Sequence, residues 1–191
     1  MAKRTKDGRL LLTEPAEVRA TAGAVPHQLI SVLERERRGT VTELAGHLGL
    51  PPGSLYYHVR KLRDAGILLE GERRTTGGRD EVVYELAGRE VVYDPEANTP
   101  PFLTELARTI RTRLRWLERA CVKALSHPKT LRKGKQRNLM LAHHHARLGP
   151  RDRAELHRRI EELEAFLQER DDPRREDFVH VTFVMVPMAP R

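Results

Sequence analysis

Apolar positions recur at helical steps over most of this chain and alternate in a few short runs. In Pro26–Arg37, Leu29, Ile30 and Leu33 share one face and predict a scaffold helix. Thr40 and Glu43 have capping-box spacing ahead of Leu44 and Leu48, four residues apart, so a helix starts there and Gly49 ends it. Pro52 suits the first turn of the next helix, in which Leu55, Val59 and Leu62 point inward and which Gly66 stops. Ile67–Arg73 and Glu81–Ala87 alternate as the arms of a hairpin with Thr75, Thr76, Gly77 and Gly78 at its turn. Glu14–Ala22 predicts a short helix entered through Pro15, and Val91–Tyr93 a short strand.

Asp94–Pro101 is Pro-rich and breaks the pattern, which divides the chain into residues 1–93 and 102–191. Phe102–Leu125 then predicts a long helix. Its stripe of Leu103, Leu106, Ile110, Leu114, Leu117, Cys121 and Leu125 runs in steps of three and four. Such a stripe either packs on its own domain or forms a dimer contact, and the latter is the expectation here, through Leu103, Leu106, Ile110, Leu114, Leu117 and Cys121. Asn138–Leu148 reads as a strand, with Leu139, Leu141, His143 and His145 on one face. A helix follows from Gly149-Pro150 to Asp171-Asp172-Pro173, with Leu156, Ile160, Leu163 and Leu167 on its buried side. Phe178–Val186 is the strongest strand signal. The expected fold is α+β and mostly helical: a winged helix-turn-helix, a long dimerisation helix and a small strand-helix-strand C-terminal region.

The second of the paired helices turns Gly53, Tyr56, Tyr57 and Arg60 outward, flanked by Ser54 and Lys61. Arginine can grip guanine bidentately, serine can donate or accept, and tyrosine can reach a phosphate or a thymine methyl. Arg73, Arg74 and Arg79 crowd the hairpin turn, where phosphates or a minor groove would meet them. With Thr40 at the start of the pair, these residues make up the expected DNA-binding set.

The stretch ELAGHLGLPPGSLYYHVRKLRDAGIL resembles the winged-helix core of bacterial ArsR-type (arsenical-resistance-repressor-type) transcriptional regulators. The positions that carry the likeness are Glu43-Leu44-Ala45, Tyr57-His58-Val59, Leu62 and Ala65-Gly66. With the hairpin counted it covers roughly a quarter of the chain, and winged helices sharing it differ in ligand and target. The resemblance implies a homodimer on a partly palindromic operator of double-stranded DNA. Metal-sensing members carry Cys-x-Cys in the helix before the recognition helix. Thr42–Leu50 contains no cysteine, so that sensing site is not expected here. The C-terminal segment is similar to longer ArsR-like regulators, a weaker likeness.

Composition adds a location and a charge puzzle. With 191 residues the chain can bury a proper core, and no apolar run reaches membrane-spanning length. Leu10-Leu11-Leu12 is too short for a signal-peptide core, and the single Cys121 makes no intrachain disulfide, which suits a cytoplasmic protein. The net charge is +8, but residues 1–90 hold 15 basic and 13 acidic side chains. Arg108–Arg137 holds eleven Lys and Arg against Glu118 alone, so the excess is not in the module that reads bases. That segment reads either as a solvated face and loop or as a source of non-specific phosphate contacts. Met1–Arg9, with Lys3, Arg4, Lys6 and Arg9, reads as a solvated tail or as a basic arm along DNA.

No sequence feature calls for catalysis or a cofactor. There is no phosphate-binding Gly loop, no Gly-x-Ser-x-Gly and no His-Glu-x-x-His. His143 and His145, with His180 as a third, are the one arrangement that hints at a metal, and polar strand or interface residues are the plainer account. Cys121 belongs to an apolar stripe, which suits a structural thiol rather than a nucleophile. The expectation is a non-enzymatic, sequence-specific DNA-binding regulator acting as a homodimer. Rival readings are a winged-helix module for protein or RNA without operator specificity and, more remotely, a metal-dependent enzyme on the His strand. A small-molecule effector is compatible with the C-terminal region, although no residues mark its pocket.

Overall fold

The computed structural model describes residues 3–76, 78–172, 175 and 179–188, with the side chains of Thr76 and Arg79 outside that description. The chain is mixed α/β and about half helical, and it separates into compact units of residues 1–123 and 124–191. The Pro-rich run therefore lies inside the first unit.

That unit begins with β1 (Lys3–Arg4) and β2 (Leu10–Leu12), antiparallel neighbours with Lys3 opposite Leu11. Part of the expected tail is thus a paired strand, because Leu10 and Leu12 alternate into the core and draw their neighbour into register. α1 (Pro15–Ala20) follows, with the Glu17 carboxylate accepting the Thr13 and Glu14 amides. α2 (Ala24–Glu36) buries Leu29, Ile30 and Leu33 as their spacing demands. β3 (Arg38–Thr40) leads into α3 (Val41–Leu48), which Gly49 ends at φ 62. α4 (Pro52–Asp64) buries Leu55, Val59 and Leu62. β4 (Leu68–Thr76) and β5 (Arg79–Leu86) form the hairpin, and β3 pairs with the outer side of β5, so the sheet order is β3-β5-β4. Between Glu70 and Arg73 the register shifts, a bulge that twists the hairpin arm.

β6 (Val91–Tyr93) lies parallel to β2, completing a second sheet in the order β1-β2-β6. Gly88 permits this crossing: a Cβ there would sit 2.8 Å from the Leu10 nitrogen. α5 (Pro100–Leu125) enters with Phe102 fully buried beside Leu12, Leu29, Leu33, Leu44, Leu55 and Leu62 in one cluster.

The second unit departs from expectation. α6 (Pro150–Arg170) forms, its Asp152 carboxylate accepting the Gly149 amide, but it buries no residue; Leu156, Ile160 and Leu167 are half-buried and Leu163 is exposed. Residues 138–148 form no strand, and neither do residues 179–186 of the expected Phe178–Val186 strand; Phe178 lies outside the described residues. Among its described residues the C-terminal region is therefore not strand-helix-strand. A strand needs a partner for its amides and carbonyls, and alternation alone does not supply one.

Candidate nucleic-acid interface

The geometry begins with the caps. Thr40 Oγ1 accepts the Glu43 amide at 3.3 Å and the Glu43 carboxylate accepts the Thr40 amide at 2.8 Å. Thr40 is fully buried, so it leaves the expected DNA-binding set: the residue that best starts the helix is sealed by the strand pairing beneath it. Thr42, in the first turn of α3, donates through Oγ1 to Glu81 at 2.5 Å, tying the start of the helix to β5.

α4 has two unlike faces. Its inner side is locked by Leu55, Val59 and Leu62, which fixes the rotation of the helix. Its outer side carries Tyr56 at 50% exposure, Tyr57 at 66%, and exposed Gly53, Ser54 and Arg60. Nothing lies within 4 Å of where a Cβ on Gly53 would sit, so this end of the helix is open. Among the described residues Arg60 makes no hydrogen bond or ion pair. Ser54 Oγ donates to the Pro51 carbonyl at 2.7 Å, keeping its lone pairs outward.

Other expected contacts are already engaged. Lys61 Nζ donates to the Arg19 carbonyl at 2.8 Å, and burial followed by the Arg19 charge pushes its pKa down. Arg19 in turn bonds the buried Glu105 carboxylate at 2.9 Å, so α1, α4 and α5 meet through one polar chain. Residues separated by 42 and 86 positions gave no signal in the sequence. On the hairpin, Arg74 pairs with Glu43 at 2.9 Å and Arg73 donates to the Asp80 carbonyl at 3.1 Å. Arg79 opens β5, but its side chain lies outside the described residues.

His58 sits between the two faces of α4. Its Nδ1 is buried without a hydrogen-bond partner among the described residues, and its ring meets Tyr57 edge-on at 5.2 Å. Burial first, and Lys61 second, push its pKa down, which favours the neutral ring.

α5 also has two faces. Phe102, Glu105 and Thr109 are buried, and Leu106 packs on the core. Leu103, Ile110, Leu114 and Leu125 are about half exposed, while Leu117 and Cys121 are intermediate. The expected stripe is thus split: Leu106 serves the first unit and the others stay at the surface. Among the described residues no three His, Cys, Asp or Glu are arranged to hold a metal, and no helix is long and apolar enough to cross a membrane. His143, His144 and His145 are exposed on irregular backbone.

Residues 28–71, from α2 into β4, match the family described as a helix-turn-helix domain. The α3–Gly49–α4 pair is a helix-turn-helix. Similar solved structures include the AntR antimony-specific transcriptional repressor, at 21% identity over 55% of this chain and 76% of that one, with TM-score 0.32. Another is a possible transcriptional regulator from Methanosarcina mazei Go1, at 15% identity over 58% of this chain and 83% of that one, with TM-score 0.31. No curated protein matches the chain significantly. Within this helix-turn-helix, α4 holds the position of the helix that enters a groove.

Proposed function

We propose that the chain is a sequence-specific, DNA-binding transcriptional regulator of the ArsR type, acting as a homodimer and without catalytic activity. The observation that carries this reading is the outer face of α4. Gly53, Tyr56, Tyr57 and Arg60 stand open on a helix whose other side is fixed in the core, within a stretch that matches helix-turn-helix domains. A rigid helix with an unpaired guanidinium suits the major groove, where arginine takes guanine O6 and N7 together. Ser54 and the tyrosines serve neighbouring base edges and phosphates, and Lys61 sets the angle of α4 through α1.

The hairpin acts as the wing. Arg73 and Arg74, with Arg79 beside them in sequence, hold the flanking backbone, and Arg74 exchanges Glu43 for a phosphate on docking. A second copy covers Leu103, Ile110 and Leu114 of α5, with Leu117 and Cys121 further along the same stripe. Two copies of α4 then meet half-sites about 34 Å apart, one turn of duplex. The protein works in the cytoplasm.

Selection from randomised duplexes tests the reading. The intact protein should enrich one motif written twice, with its halves about one helical turn apart. Recovery of unenriched sequence, or preference for RNA of matched length, contradicts it.

A further inference from the structure

The cations of residues 129–137 differ from several others on the surface. Several surface arginines meet nearby carboxylates: Arg63 pairs with Asp64 and Glu70, Arg38 with Glu72, and Arg158 with Glu155 and Glu162. Between Glu118 and Asp152 the chain carries nine Lys and Arg and no Asp or Glu. Five of these cations fall within residues 129–137, and all five residues are exposed. Among the described residues no carboxylate reaches Arg132, Lys133 or Lys135. An ion-paired surface therefore does not account for this loop.

The loop is also built rather than slack. Asn138 clasps it from inside: its Oδ1 accepts the Leu131 amide at 2.8 Å and its Nδ2 donates to the Lys129 carbonyl at 3.1 Å. The Asn138 amide donates to the Leu131 carbonyl at 3.0 Å, and Thr130 Oγ1 anchors the near end on the Ala124 carbonyl at 2.6 Å. Gly134 makes the reversal at φ 82, a conformation that costs other residues about 1 kcal/mol or more and that glycine adopts freely. Arg132, Lys133 and Lys135 are thereby carried on a short, closed turn.

We infer that this Asn138-clasped loop is a clamp for the phosphate backbone of duplex DNA, separate from the base-reading face. The chemistry of the loop selects that partner. A segment that seeks a lipid surface backs its cations with a broad apolar face, and residues 129–137 offer Leu131 alone. One that grips single strands stacks bases on aromatic rings, and Phe, Tyr and Trp are absent here. Cations without rings or apolar backing suit a polyanion whose bases stay paired. The inference rests on the DNA-binding reading above and adds a sequence-independent share of the affinity.

The test measures the salt dependence of binding to the selected duplex for the full-length protein and for Arg132→Ala/Lys133→Ala/Lys135→Ala. Three lost phosphate contacts should reduce the slope of log K against log salt by about 2.7, which is roughly a 40-fold change in relative affinity between 50 and 200 mM salt. Base preference should stay unchanged, and a charge-keeping Arg132→Lys/Lys133→Arg/Lys135→Arg protein should retain the original slope. Equal slopes for wild type and the alanine protein overturn the clamp while leaving the base-reading face intact. A slope change with matched RNA or anionic vesicles, and none with duplex, overturns the choice of partner. Failure of the wild type to bind any duplex removes both the clamp and the reading it rests on.

Discussion

The two compact units use similar residues in opposite ways. In residues 1–123, Leu29, Leu44, Leu55, Leu62 and Phe102 are sealed in one cluster. In residues 124–191 no described side chain is buried, and Leu141 stands at 81% exposure. The carboxylates differ too. Glu34 is pushed up to about 6, chiefly by burial, although the Val91 amide bonds it. Glu155 is drawn down to about 2 by Arg158 and Arg159, which hydrogen-bond it at the surface. The first unit is held by what it excludes from water, and the second by surface pairs and local clasps. Specific reading of DNA needs a fixed helix face, and only the first kind of unit fixes one.

The comparison breaks most readily at its apolar side chains. Leu62→Ala should destabilise the protein by roughly 2–5 kcal/mol, since it leaves a cavity beneath the outer face of α4. Leu141→Ala should change stability by no more than about 0.5 kcal/mol. Urea unfolding of both variants measures the contrast, and a large loss at Leu141 would mean that the second unit has a core of its own.

A smaller effect sharpens the same contrast. The folded value of Glu34, about 6, lies above its ordinary 4.5, so the folded state holds the proton more tightly than the unfolded chain. Its contribution is fully present below about pH 4.5 and is lost as pH rises through about 6. At pH 7 Glu34→Gln should stabilise the protein by up to roughly 2 kcal/mol, because the amide oxygen still accepts the Val91 N–H without a buried charge. The gain should shrink towards zero near pH 4.5. A gain of equal size at both pH values would show that the carboxylate is not the cause.

Periodicity revealed the first unit because its apolar faces meet one another within the same stretch of chain. Leu44 and Leu48, then Leu55, Val59 and Leu62, define two helix faces, and the caps at Thr40 and Gly49 place the ends. The outward set on α4 followed from the inward one. What the pattern could not disclose is whether a face finds a cover. Thr40 has the chemistry of a DNA contact and is buried where β3 pairs with β5, while Lys61 is taken by a carbonyl 42 residues earlier. β1 and β2 are too short to register as a sheet until β6, some 80 residues on, lies alongside them. In residues 138–148 and 179–186 alternation marked strands that have no ladder, because side-chain order does not provide hydrogen bonds to the backbone.

The claim that matters most is that the exposed side of α4 reads base pairs, and Arg60 tests it most directly. Binding of wild type and Arg60→Ala should be compared on the selected duplex and on every single base-pair substitution of it. The account predicts that the variant loses about 1–3 kcal/mol and becomes indifferent at one position of each half-site while discriminating as before elsewhere. Identical discrimination at every position by the two proteins would contradict it.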